Sequence, residues 1–167
     1  MQILDGRPVR DAVLAELATK VEQAPRAPGL AVILVGDDPA SRVYVGQKEK
    51  GCAKVGYHHE THRLPVDVAE ADLVALVDQL NRDDAIDGIL VQMPLPGHID
   101  TNRVIGRIDP DKDVDGLTEA SAGRLVLGKP GLRPCTPAGC VLLAERALGD
   151  LSGKSVVVVG RSILVGK

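Results

Sequence analysis

The sequence predicts an α/β protein: a three-layer α/β/α domain with a mostly parallel sheet, then the opening strand and turn of a second domain. Three observations carry this. Leu30–Val35, Gly88–Val91 and Ser155–Val159 are short continuous apolar runs, as in strands covered on both faces. The stretches between the first two carry apolar residues at helical spacing. Gly and Pro clusters punctuate the alternation, which favours parallel strands joined by helices.

Residues 7–24 read as a helix, with Val9, Val13, Leu17 and Val21 four apart, ended by Pro25 and Ala-Pro-Gly at 27–29. The strand Leu30–Val35 enters a Gly-Asp-Asp-Pro loop, and a second helix follows until Gly56. On it Ser41, Tyr44 and Lys48 share one stripe with Val45, Cys52 and Val55, so that stripe faces the protein. Lys50 and Lys54 point to water. An ammonium held inward beside a tyrosine loses hydration, which suits it to acid–base work. The alternative is that Lys48 snorkels to the rim while Tyr44 packs. Tyr57–Leu64 alternates weakly, as a strand near an edge. Asp67 and Glu70 have capping-box spacing and open a helix with Leu73, Leu76, Val77 and Leu80 on one face. The strand Gly88–Val91 ends in Gln-Met-Pro-Leu-Pro. A short helix over Thr101–Ile108 precedes the acidic loop at 109–116, and a Gly-rich connector runs to Pro134. Thr136 and Pro137 read as a cap and first-turn proline of a helix reaching about Leu148. The division is 1–120, a connector with a linking helix at 121–150, and 151–167 as the start of another domain.

Composition narrows the function classes. The chain has 167 residues, no Phe or Trp and a net charge of −3, so its core is aliphatic. It offers neither a basic field nor aromatic stacking surface for nucleic acid. No apolar run is long enough to span a bilayer, and the N-terminus lacks a signal-peptide core. Cys52, Cys135 and Cys140 are odd in number and lack metal-site spacing, so a reducing, cytoplasmic setting is expected. The loop DKDVDG (111–116) resembles half a calcium loop, but Ala122 stands where the closing Glu belongs, leaving a solvated acidic turn and no metal. His58, Glu60 and His62 would share one face of a strand, as a polar outer face rather than a cation site. Gly160, Arg161, Ser162 and Gly166 follow a strand and open a turn, the context in which backbone N–H groups hold phosphate. Arg161 lies where the 2′-phosphate of NADP would be met in a Rossmann-like domain. Tyr44 and Lys48 also have the YxxxK spacing of short-chain dehydrogenases, in which the dinucleotide loop comes first; here the order is reversed.

Taken together, PASxxYxxxK (39–48), DGILVQMPLP (87–96), PDKDVDG (110–116), PCTPAG (134–139) and VVVVGRSxxVGK (156–167) closely resemble the bifunctional methylenetetrahydrofolate dehydrogenase/methenyltetrahydrofolate cyclohydrolases, the FolD type. The resemblance is collinear over the whole chain. It implies NADP-dependent oxidation of 5,10-methylenetetrahydrofolate, then hydrolysis of the methenyl product to 10-formyltetrahydrofolate, in a cytoplasmic homodimer. It implies that Lys48 is the central catalytic residue, supported by Tyr44 stacking near the pterin, and that Gln92 steers its protonation. Asp115 would hold the amino-pyrimidine edge, with Ser41 beside it, and Gly160, Arg161, Ser162 and Gly166 would bind the cofactor. Ile163 departs from the polar residue usual after Gly-Arg-Ser. The family continues through a nucleotide-binding domain with a Pro-Val-Pro-Gly-Gly segment, so a truncated form is expected. Other readings are a non-catalytic folate-binding or dimerisation module, and the N-terminal domain of an amino-acid- or shikimate-type dehydrogenase.

Overall fold

Strand β1 (Gly29–Val35) is the centre of the architecture in the computed structural model, which describes residues 3–162 and 164–166. Ile163 and Lys167, both within the last sequence motif, lie outside the described residues. β1 pairs in parallel with β2 (His58–Leu64) on one side and β3 (Gly88–Val91) on the other, giving the order β2-β1-β3. Its residues from Ala31 to Val35 are all buried, as the apolar run predicts.

Alternation along the strands divides the core in two. Ala31, Ile33, Val35, Ile89 and Val91 face α3 (Glu70–Arg82), through Leu73, Val77 and Leu80, and α4 (Thr101–Ile105), through Val104 and Ile105. Val32, Leu34 and Leu90 face the other way, onto Val45 of α2 (Pro39–Val55). α1 (Gly6–Glu22) packs on α2 and contains no buried residue. The sheet thus has helices on both faces, the expected three layers. No helix among the described residues is long and apolar enough to cross a membrane.

Helix α2 forms where the loop chemistry directs it. Asp38 caps it by accepting the Ser41 N–H at 2.8 Å, Pro39 occupies the first turn, and Gly56 ends it at φ 80°. A left-handed residue closing a helix favours glycine.

Five expectations need correction. Asp67 does not cap α3: Ala69 is the cap, without a side-chain bond, and Glu70 reaches away to the Asp100 N–H and Arg103. The helix expected over Thr101–Ile108 stops at Ile105 and closes in a turn. The connector is not irregular throughout, because α5 (Glu119–Val126) lies within it, capped by Thr118 accepting from Ser121 N–H. α6 (Cys135–Leu148) begins before Thr136, straight after Pro134, with no side-chain cap. Pro137 still lies in the first turn, where its missing N–H goes unused. Finally, Ser155–Val159 forms no strand. Val156–Val159 are 61 to 96 % exposed, and among the described residues no strand lies beside them to supply a hydrogen-bonding edge.

Candidate active site

Strand order places the site. The chain leaves β1 towards β2 and returns to β3 on the opposite side, so the carboxyl ends of β1 and β3 flank a topological switch point, where open α/β sheets bind ligands. The β1 loop delivers α2 with Ser41, Tyr44 and Lys48, and Gln92 is the first residue after β3.

Three of the five folate-side candidates, Lys48, Gln92 and Ser41, are joined directly or through one carbonyl. Lys48 Nζ donates to Gln92 Oε1 at 3.1 Å. Gln92 Nε2 donates to the Met93 carbonyl at 2.9 Å, and Ser41 Oγ donates to that same oxygen at 3.4 Å. A carbonyl only accepts, so the Gln92 amide nitrogen faces Met93 and its oxygen is left for the lysine. The Met93–Pro94 peptide is cis. Lys48 is half-buried and makes no ion pair among the described residues, because its bonded partner is a neutral amide. Tyr44 does not pack inward as its stripe suggests. It is 61 % exposed, and its ring centroid lies 6.0 Å from Lys48 Nζ, at the outer limit of a cation–π contact. Lys50 and Lys54 are exposed, as expected.

Asp115, the fifth, is half-buried in the loop before α5. Burial raises its pKa above the ordinary 3.8, the nearby Lys48 charge lowers it, and the Asp113 charge raises it again. The Lys48 charge thus reaches Asp115.

The acidic loop is not the solvated turn expected. Asp113 is 1 % exposed, bridges to Ile89 of β3, and accepts the N–H groups of Leu117 (3.2 Å) and Thr118 (2.8 Å). Gly116, at φ 63°, presses against Arg133 and Pro134, where a Cβ would sit 3.0 Å from Pro134 Cδ. Together these clamp the loop that presents Asp115. Asp111 instead pairs with Arg124 at 2.7 Å, so the aspartates of DKDVDG do not converge on one point. His58 and His62 do share a face of β2, with the Glu60 carboxylate between them at 3.1 and 3.2 Å.

One residue was not singled out in the sequence. Cys135, at the start of α6, is exposed as a residue, but desolvation of its thiol by the surrounding atoms pushes its pKa up, Asp115 adds to this and Lys48 opposes it. It therefore stands beside the same two charges. No local pattern could have found it, since 20 residues separate it from Asp115; the only signal is the PCTPAG motif.

The cofactor-side candidates are not joined to this cluster by any hydrogen bond or ion pair among the described residues. Gly160 has φ 143°, a conformation that L side chains rarely adopt. Ser162 caps a turn: its Oγ accepts the Val165 N–H at 3.2 Å, and its carbonyl accepts the Gly166 N–H at 2.9 Å. Arg161 is exposed.

Residues 4–115 match the profile of the tetrahydrofolate dehydrogenase/cyclohydrolase catalytic domain. The chain belongs to the tetrahydrofolate dehydrogenase/cyclohydrolase family. Residues 134–167 match that family's NAD(P)-binding domain. The chain is 66 % identical to the bifunctional protein FolD of Maricaulis maris, over 99 % of this chain and 57 % of that protein. It superposes with TM-score 0.94 on the Campylobacter jejuni bifunctional enzyme FolD, at 40 % identity, covering 99 % of this chain and 60 % of the other. For the Trypanosoma brucei dehydrogenase-cyclohydrolase, whose structure holds NADP and an inhibitor, the TM-score is 0.92 at 32 % identity, over 99 % and 58 % of the two chains. This chain thus spans somewhat more than half the length of these relatives.

Proposed function

We propose that this chain supplies the folate-binding part of an enzyme that oxidises 5,10-methylenetetrahydrofolate with NADP and hydrolyses the methenyl product to 10-formyltetrahydrofolate. The observation that carries this is the half-buried Lys48 bonded to a neutral Gln92 and reaching Asp115 with its charge, inside the segment matching the family's catalytic domain. Residues 1–120 bind folate, 121–150 connect, and 151–167 open the cofactor domain. Asp115 accepts hydrogen bonds from the amino-pyrimidine edge, and Tyr44 stacks on the substrate at the mouth. Ser41 holds Met93, which in turn orients Gln92.

The chemistry divides between the two steps. Oxidation needs placement of the methylene carbon, which the site supplies. NADP, when bound, supplies the hydride acceptor; Gly160, Arg161, Ser162 and Gly166 would hold the phosphate end of such a dinucleotide, Arg161 through its exposed charge. Hydrolysis adds water to the methenyl carbon and opens the ring, so a proton must leave the water and another must reach the departing ring nitrogen. Lys48 moves these protons, and positioned groups of this kind contribute roughly 10²–10⁴-fold. The homodimer implied by the resemblance belongs to the same proposal and is checked by the mass in solution. The test is to assay both steps separately on the longest natural polypeptide containing this chain. NADP-dependent formation of the methenyl product and its hydrolysis are expected; absence of both contradicts the proposal.

A further inference from the structure

The acidic loop that presents Asp115 carries a single cation, Lys112, and its side chain turns back onto the fold. It is half-buried, and its Nζ donates to the Leu80 carbonyl at 3.1 Å and to the Asp83 carbonyl at 2.8 Å. Leu80 lies in the last turn of α3, and Asp83 caps that helix's end. A cation there meets the negative end of the helix, where the last carbonyls run out of intrahelical partners. Lys112 makes no ion pair among the described residues, so two fixed carbonyls direct its ammonium. The main chain of the same residue holds the sheet: the Lys112 carbonyl accepts the Ile89 N–H of β3 at 2.7 Å. Gly88 leaves room for the loop beside that bond, since a Cβ there would lie 2.5 Å from Val114 Cγ1. Lys112 thus fastens the loop to α3 by its side chain and to β3 by its backbone. Gln92 follows Ile89 by three residues, and Asp115 follows Lys112 by three. One hydrogen bond therefore stands equally far before the partner of Lys48 and before Asp115.

We propose that Lys112 is a positioning residue for the candidate active site, holding the Asp115 carboxylate in register with Gln92 and Lys48. The inference rests on the folate reading of that site. Lys112 acts through Asp115 and not by contact with substrate. Its part differs from that of Asp113, which closes the loop on itself through the N–H groups of Leu117 and Thr118. Asp113 shapes the loop; Lys112 places it. Displacing a binding group by about 1 Å from a site remote from the chemistry can be costly, so loss of the anchor is felt at the substrate.

The test is a double-mutant cycle on the longest natural polypeptide containing this chain, read by calorimetric titration of tetrahydrofolate. Lys112→Met is expected to raise the tetrahydrofolate Kd roughly tenfold, about 1.4 kcal/mol, with NADP affinity unchanged. In an Asp115→Ala background the same substitution should change the Kd by less than about twofold, because groups that act as one unit are not additive. Lys112→Arg, which keeps a cation with donors for both carbonyls, should return the Kd close to the wild-type value. Unchanged tetrahydrofolate affinity in folded Lys112→Met, or an equal loss with and without Asp115, overturns the positioning role alone. Should the methionine variant not fold, Lys112→Gln, which keeps N–H donors without the charge, carries the same cycle and is judged by the same outcomes. Absence of tetrahydrofolate binding by the wild type overturns the folate reading and the role of Lys112 with it.

Discussion

Gln92 decides what kind of lysine Lys48 is. With Met93 fixing its amide, it offers the ammonium an uncharged acceptor. Asp115 carries the complementary prediction. Its folded-state pKa lies above 3.8, so the unfolded chain ionises first as pH rises. Asp115 therefore withdraws stability as pH climbs from 3.8 through its folded value, and the carboxylate proposed to bind substrate exists only above it. Folate affinity should fall on acidification through that raised value. Because the Lys48 charge lowers the Asp115 pKa, Lys48→Met should move this acid limb to higher pH, as read by titration calorimetry across pH. Asp115→Ala should cost about 1.5–3 kcal/mol of folate affinity, the range for a hydrogen bond to a charged group, whereas Asp111→Ala, losing only the Arg124 pair, should leave it nearly intact. Asp113→Ala should instead lower the melting temperature, since the N–H groups of Leu117 and Thr118 lose a buried acceptor. The sequence places these aspartates two apart in one polar loop and cannot rank their burial. That depends on the bridge to Ile89, 24 residues away.

At the scale of elements, legibility follows how local the cause is. β1, β3 and α2 can be read because continuous apolar runs, a capping Asp38 and a closing Gly56 are all written within the elements themselves. α5 hides because it has eight residues, includes Gly123, and is fixed from outside by the Asp113 clamp and the buried Thr118–Ser121 pair. Thr118→Ala should therefore cost about 1 kcal/mol, the typical loss of a cap, measured by chemical denaturation. If it were silent, α5 would not depend on that cap. The false capping box at α3 has the same origin, because Glu70 finds Arg103 of α4 across the fold rather than Asp67 in the chain. For Ser155–Val159 the apolar pattern is present, but a strand needs an edge to pair with, which no local pattern can supply.

In the whole molecule, two matched segments share one chain, but only the first has its core. Among the described residues the exposed Val156–Val159 leave the turn proposed to hold phosphate without a sheet behind it, so the 167-residue chain should bind NADP weakly compared with the longest natural polypeptide. Micromolar binding by the shorter chain in calorimetry would show that the turn suffices alone. The stripe predicts the half-buried Lys48 but not the exposed Tyr44, and the joining of Gln92 to Lys48, with Asp115 nearby, depends on strand order. That joining is the central claim, and Lys48→Met in the longest natural polypeptide tests it most directly, with the hydrolytic rate measured separately from hydride transfer. The account predicts a hydrolytic rate lower by roughly 10²–10⁴-fold, the contribution of a positioned proton-transfer group, with the melting temperature held. Hydrolysis within a few-fold of wild type in a folded Lys48→Met enzyme would contradict it.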